Sequence, residues 1–410
     1  MNRIAQLKEK TIVEISLFLA LLFPFVPPKY ASISLILFTI SSIVAFVKAK
    51  NTDFKWNAIV VFGIFIFIPL LYFIQLIFAN DFGFVWKIVE RKLALFIAPL
   101  AFLFLSAAKI NLNPIPYVRF FFHAVVIFVV YCIFQISLQG FHSNYFQSGG
   151  FAFAFRTTIE EISKLHPSYF GLFIAFSMLI GMDELFQDWK KLNALTKAWM
   201  SIALIVLLLF LLFLAARMAL IGLLFSSVIL VHKRIPSWKI KVRVLIVAIT
   251  CFVVAMVLIP SISSRLNEIN STENNGTSIR TTIWSCATDL IQENPVKGVG
   301  LENVQHKLNA CYEEKNKYLA TLNHDYNTHN EFLNQWASFG IIGCLALLLL
   351  LGAFFYYSKK QIIFLVFSLL VSTSLLTENL LERQMGIFFV AIFGGLFVFN
   401  FSIKHSINKS

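Results

Sequence analysis

Long apolar runs separated by short polar islands dominate the chain, and most of the runs exceed the length of a core strand. The hydrocarbon core of a bilayer, about 30 Å thick, is crossed by a helix of roughly 20 apolar residues. On that measure the pattern predicts membrane spans near 12–27, 30–47, 58–79, 93–108, 117–138, 168–182, 198–214, 218–231, 241–259, 332–356, 361–376 and 386–403. The stretch 198–231 is apolar throughout, and as a single helix it would reach about 51 Å, too long for one bilayer without extreme tilt. It therefore reads as two short spans meeting at Ala215-Ala216-Arg217. The first span ends in Pro24-Phe25-Val26-Pro27-Pro28 and is followed at once by another. With no small-residue cleavage site between them, it is expected to be a retained span and not a cleaved signal.

These elements predict an all-α, polytopic integral membrane protein: one transmembrane helical domain over 1–410, about twelve spans, and a large outer loop at 260–331. Within that loop, 277–293 has amphipathic helical spacing, with Ile279, Ile283, Ala287, Leu290 and Ile291 on one side. Asn294-Pro295 ends it, Gly298-Val299-Gly300 makes a turn, and a second amphipathic stretch covers about 301–316. A loop this long is usually functional.

Composition agrees. Only 13% of the 410 residues are charged and 58% are hydrophobic, where a soluble domain carries about 25% charged residues. Placing the N-terminus in the cytoplasm puts twenty of the 34 Lys and Arg in cytoplasmic tails and short loops, among them Lys48, Lys50, Lys190, Lys191, Lys233, Arg234, Lys239 and Lys241. That satisfies the positive-inside rule, so the net charge of +13 reflects topology and not a nucleic-acid partner. Lys87, Arg91 and Lys92 fall on the outer side, either on an interfacial helix before the fourth span or facing a functional cavity.

None of the five cysteines is paired at CxxC spacing, and His166, His306 and His324 lack ligand spacing, so no metal site is expected. Cys132, Cys251 and Cys344 lie in spans, while Cys286 and Cys311 share the outer loop, where a disulfide is chemically possible.

Candidate chemistry gathers before the span at 332–356. Thr328-His329-Asn330-Glu331 has capping-box spacing, which predicts a helix start at Thr328 with His329 at the first helical position. The positive end of the helix dipole there disfavours imidazolium, so His329 is expected neutral and able to accept a proton, and the same end attracts anions. An interfacial histidine bordering headgroups is the alternative, and residue physics leaves both open. Gly340 and Gly343 follow on one helix face, where small residues let another helix approach. Arg217, held in a tight turn between two spans, is a costly intramembrane cation and hence a functional candidate, with snorkelling to headgroups as its rival. Arg280 sits in the first turn of the 277–293 helix, against the dipole, where a phosphate ligand would favour it and a solvated arginine is the bland reading. Trp284 reads as packing. Smaller signals are His166-Pro167 with Tyr169, Arg156 upstream, and Glu378, Glu382 and Arg383 in the last outer loop.

At these residues the chain resembles the O-antigen ligase and O-antigen polymerase family. His329-Asn330, nine residues, Gly340, two residues and Gly343 reproduce the signature H[NSQ]-x9-G-x2-[GTY], and Asn294-Pro295-Val296-Lys297-Gly298-Val299-Gly300 resembles its NP-x-x-G-x-G segment. Arg217 falls where the family opens a span with arginine in a [ST]-R context, here with Ala216 in place of the hydroxyl, and Arg280 matches the loop arginine before Trp284.

The resemblance implies a membrane-embedded, GT-C-like glycosyltransferase of the bacterial inner membrane with its active site facing the periplasm. It would need no metal or other cofactor. The donor would be a glycan on undecaprenyl diphosphate, and the acceptor a lipid A–core sugar for a ligase or another lipid-linked glycan for a polymerase. His329 would be the base, and Arg217 and Arg280 would hold the diphosphate. Asn330, Arg156, His166 and Arg383 are further candidates for substrate contacts. The spacing around Arg217, Arg280 and His329 favours a ligase, yet nothing in the sequence separates the two acceptors. A transporter would predict two related halves, which the sequence does not show. A structural assembly partner would have no need of His329.

Overall fold

The computed structural model describes residues 2–139, 150–244, 246, 250, 276–315, 326–359 and 361–407. Every regular element among them is helical: α1 (Asn2–Leu21), α2 (Pro28–Lys48), α3 (Trp56–Ile77), α4 (Phe82–Lys92), α5 (Ala94–Ala107), α6 (Pro114–Gln139), α7 (Gly150–Ser163), α8 (Pro167–Asp188), α9 (Ala194–Leu214), α10 (Arg217–Arg234), α11 (Gly276–Glu293), α12 (Val304–Lys315), α13 (Glu331–Phe339), α14 (Ile341–Ser358), α15 (Ile362–Leu375) and α16 (Gln384–Ile407), with a short 3-10 turn at Phe23–Phe25. The expected span at 241–259 lies almost wholly outside the described residues, as do Cys251, His324 and parts of both outer loops.

Among the described residues six helices are long and apolar enough to cross a membrane: α2, α3, α6, α8, α9 and α14, with α15 and the first part of α16 as shorter apolar helices. Their outward faces are as apolar as the interior. Ile33, Ile36, Leu37 and Ile40 of α2, Ile127, Val130 and Phe134 of α6, and Leu345, Leu348 and Leu349 of α14 are all exposed. Such faces suit lipid, and the helix satisfies its own backbone polar groups where no water can. The protein is a polytopic membrane protein.

The chain divides into two compact units. One holds Ile115–Thr272 and Lys360–Ser374. Here α8 is central, with Phe170, Phe173 and Phe176 fully buried. A Cβ on its Gly171 would lie 2.4 Å from the Ala216 Cβ, so glycine lets the α9–α10 corner sit directly on α8. That corner is where the sequence placed it: α9 ends at Leu214, Ala215 is left-handed (φ +50°), and α10 starts at Arg217 with no side-chain cap from Ala216.

The other unit comprises Met1–Pro114, Glu273–Lys359 and Leu375–Ser410. Its membrane part packs α2, α3, α5, α14 and α16 through buried aromatics such as Phe38, Phe65, Phe354 and Phe389. α4 is the separate amphipathic helix expected before the fourth span, capped by the Asp81 side chain, which accepts from the Phe84 N–H at 2.9 Å. The loop helices α11 and α12 close a small core of Ile283, Cys286, Ala287, Leu290, Leu308 and Tyr312, and Cys286 and Cys311 are disulfide-bonded across it.

The span expected at 332–356 is instead two helices broken at Gly340 (φ +67°). The turn after α11 fills the break. Val299 and Gly300 donate N–H bonds to the α13 carbonyls of Ala337 (2.7 Å) and Ser338 (3.1 Å). The Pro295 carbonyl accepts from Ile341 N–H and Trp336 Nε1, both at 3.0 Å. Carbonyls at a helix end and amides at a helix start have no intrahelical partner, and this turn supplies both. The two glycines permit it. A Cβ on Gly340 would fall 2.0 Å from the Val296 carbonyl oxygen, and one on Gly298 2.5 Å from the Gly340 nitrogen. Gly340 therefore serves a loop backbone, not a neighbouring helix as expected. At Gly343 the expectation holds: a Cβ there would meet the Gln335 carbonyl oxygen of α13 at 2.4 Å.

Two outcomes check this account. Gly340→Ala places its methyl on backbone and imposes a positive φ, so loss of folded protein or a fall in thermal midpoint of several degrees is expected by detergent-based melting. Reduction of Cys286–Cys311 should leave the spans intact but raise hydrogen exchange in α11 and α12, since a closed loop of this size contributes about 3 kcal/mol. Free thiols at both positions in non-reduced peptides would contradict the bond.

Candidate functional site

The segment 326–331 is held on all sides before α13 begins. The helix cap is Asn330, whose Oδ1 accepts from the N–H groups of Phe332 (3.0 Å) and Leu333 (3.2 Å). The expected cap at Thr328 is thus corrected. Its hydroxyl is turned instead toward the Asn330 carbonyl (2.9 Å) and Asn379 Oδ1 (3.1 Å). Trp284 does more than pack, since its Nε1 donates to the Thr328 carbonyl at 3.0 Å.

His329 precedes the cap and is not in the helix; its φ is +45°. Its N–H donates to Asn327 Oδ1 at 3.1 Å, and Asn327 Nδ2 donates to Glu382 at 2.6 Å. A non-glycine residue in this region is uncommon and costs of order 1 kcal/mol or more, which such over-determined contacts sustain. The positive helix end therefore falls on Asn330 and Glu331, and the charge beside His329 is a carboxylate. Its Nδ1 lies 3.6 Å from Glu378 Oε2, with the imidazole side chain 28% exposed. Nδ1 itself is buried and makes no hydrogen bond to the described residues.

Arg280 reaches the same carboxylate, its guanidinium 3.5 Å from Glu378 Oε1. It lies in the second turn of α11 as described, not the first, and Glu378 supplies the counter-charge for which a phosphate was expected. Arg280 keeps 37% of its side chain exposed and Glu378 17%. A histidine and an arginine thus face one carboxylate, and each keeps an open side.

Beneath this lies a buried pair. Lys92, at the end of α4, donates to the Leu381 carbonyl and sits 4.7 Å from the centre of the Tyr72 ring. Glu331, at the head of α13, accepts from the Leu381 N–H at 2.8 Å and from Gln335 Nε2 at 2.7 Å, and Gln335 reaches the Tyr72 hydroxyl at 3.1 Å. Both side chains are fully buried. Burial pushes Glu331 up to about 7, with the Lys92 ammonium pulling the other way, and burial holds Lys92 below the usual lysine range. The two side chains hold the carbonyl and the N–H of Leu381, which fixes the turn carrying Glu378, Asn379 and Glu382.

The structure thus brings His329, Asn330 and Arg280 into one unit. Asn330 Oδ1 is committed to capping. Arg383 is exposed in the same turn. Arg217, Arg156 and His166 belong to the other unit: Arg217 is exposed at the start of α10, Arg156 is half-buried on α7, and His166 caps α8 through Nδ1, which accepts from the Ser168 N–H at 3.4 Å. Lys92, Glu331 and Gln335 were not singled out as site residues. A signal for Lys92 existed, because it is one of three basic residues that defy the positive-inside count.

No curated protein matches the chain. Residues 202–348 match the family model described as O-antigen ligase, a stretch that runs from within α9 into α14 and includes Arg217, Arg280, the loop helices and His329. Over that stretch the chain is similar to the O-antigen ligase family.

Proposed function

We propose that the protein transfers a glycan from a polyprenyl diphosphate carrier to a hydroxyl of a lipid A–core acceptor, as an O-antigen ligase of the inner membrane. The observation that carries this reading is the convergence of His329 and Arg280 on Glu378 within the family-matched segment and the turn it packs on. A diphosphate is a good leaving group and needs no acid. It needs positive charge as the glycosidic bond breaks, and a guanidinium provides that with two parallel hydrogen bonds. Arg280 takes this role in the loop. Arg217 is assigned the same role from the resemblance alone.

The acceptor hydroxyl loses its proton to His329 as its oxygen bonds to the sugar C1. The C1–O bond to the diphosphate breaks on the opposite face, and its electron pair leaves with undecaprenyl diphosphate. One base without a carboxylate nucleophile at C1 gives inversion. The exposed apolar helix faces leave room for the carrier's tail in the bilayer. A disulfide between α11 and α12 is in keeping with an oxidising periplasmic side for this loop.

Donor binding measured beside turnover in purified variants tests the reading. His329→Ala should retain donor binding and lose about 10²- to 10⁴-fold in rate. Arg280→Ala and Arg217→Ala should weaken donor binding as well, with Lys restoring only part because a point charge does not reproduce the fork. Transfer at the wild-type rate by His329→Ala, or its abolition by EDTA, would refute the mechanism. In a deletion strain, accumulation of lipid-linked polymer with loss of capped surface glycan is expected; single-repeat capping would indicate a polymerase. A thiol at Glu293 should label with an impermeant reagent in intact spheroplasts and one at Ser237 should not; the reverse would overturn the orientation.

A further inference from the structure

His329 has a buried nitrogen without a partner and a carboxylate just beyond reach. Nδ1 is shielded and lacks a hydrogen bond among the described residues, and Glu378 Oε2 stands 3.6 Å away. A shift of less than 1 Å would bring the two into hydrogen-bond range. Leaving a buried ring nitrogen unmatched is unfavourable, and catalytic hydrogen bonds are often long before substrate arrives.

The other charged and titratable groups around His329 are engaged elsewhere. Glu382 accepts from Asn327 Nδ2, and Glu331 is turned away toward Leu381 N–H and Gln335. Lys92 is on the Leu381 carbonyl. The Tyr326 ring centre is 6.3 Å from the imidazole, and its carbonyl accepts from Gln305 Nε2 and the Tyr312 hydroxyl. Arg280 faces the same carboxylate from α11.

We infer that Glu378 is a positioning residue that holds the Nδ1–H of His329, so that Nε2 takes the acceptor's proton, and that Arg280 makes this hold respond to the donor. The inference rests on the proposed glycosyl transfer. A histidine whose Nδ1–H is fixed by a carboxylate has one tautomer, and the imidazolium formed on proton transfer is stabilised by the same charge. Before the donor binds, the Arg280 guanidinium offsets part of that charge. When the diphosphate takes the guanidinium, Glu378 acts on the imidazole without that offset. Linkage makes the effect reciprocal: the imidazolium formed as the acceptor proton arrives draws Glu378 and leaves Arg280 to the departing diphosphate.

The test is the pH–rate profile of purified full-length protein with a lipid-linked glycan donor, comparing wild type, Glu378→Gln and Glu378→Asp. Glu378→Gln should bind donor, lose about ten- to hundredfold in kcat, and move the acid limb of the profile to lower pH. The sign follows because loss of a negative neighbour makes the imidazole shed its proton more easily, and the base works when unprotonated. Glu378→Asp keeps the charge and should keep the limb near its wild-type position even where kcat falls. In wild type the acid limb of kcat should lie at higher pH than that of kcat/KM, and Glu378→Gln should narrow the gap. A merely structural role would lower both variants alike and leave the limb in place. A wild-type kcat with an unmoved limb in Glu378→Gln overturns the inference; an unchanged gap overturns the part assigned to Arg280. His329→Ala in the same assay separates the failures. If it is fully active the proposed function fails, whereas an inactive His329→Ala beside an unaffected Glu378→Gln sinks only the role of Glu378.

Discussion

A lysine ammonium and a glutamate carboxylate are each expensive to take out of water, by several kcal/mol even after relaxation. Lys92 and Glu331 are nevertheless both fully buried, and they hold the carbonyl and the N–H of one residue, Leu381. This contact ties three elements that are far apart in sequence: the end of α4, the head of α13 and the turn before α16. His329 and Asn330 enter through α13, and Glu378 and Glu382 through the turn. Removing either side chain would leave a buried backbone group of Leu381 without its partner, and such a loss typically costs about 1–3 kcal/mol. The site is thus built on a pair whose energetic return lies in register, because it specifies which turn meets which helix.

Much of the fold was legible in the apolar runs, because a helix in lipid must be continuous, apolar and near 20 residues long. The corner at Ala215 followed from length alone. The break at Gly340 did not, because Trp336–Gly352 reads as uninterrupted apolar helix and glycine is ordinary in spans. What breaks it is a loop some forty residues upstream that supplies the missing partners to Ala337, Ser338 and Ile341. The motif Asn294–Gly300 and the glycine at 340 were each visible; that they are two halves of one backbone contact was not, since sequence carries no distances.

The candidate residues divide the same way. His329 and Arg280 were legible by chemistry and resemblance, and the structure sets them on one carboxylate. The Thr328–Glu331 spacing misled, because a capping box needs the glutamate to fold back on its own helix start. Here Glu331 is drawn off by Leu381 and Gln335, and Asn330, with a shorter side chain at the right offset, caps instead. Local pattern lost to a long-range contact across some fifty residues.

That displacement changes the kind of environment His329 has. A helix terminus would have given it a fixed field, set by backbone dipoles that do not move when a ligand binds. The structure gives it Glu378, a side chain, which also answers to Arg280, another side chain with an open face. Charges on side chains can be re-paired by an arriving anion, whereas a dipole can only be screened. The left-handed backbone at His329 belongs to the same arrangement: held by Asn327 below and by the Asn330 cap behind, it turns the buried Nδ1 edge of the ring toward Glu378 without committing the ring to the helix. Rigid backbone and responsive charge are thereby separated, with Asn327, Asn330 and Trp284 fixing where the imidazole stands and Glu378 and Arg280 setting what it feels.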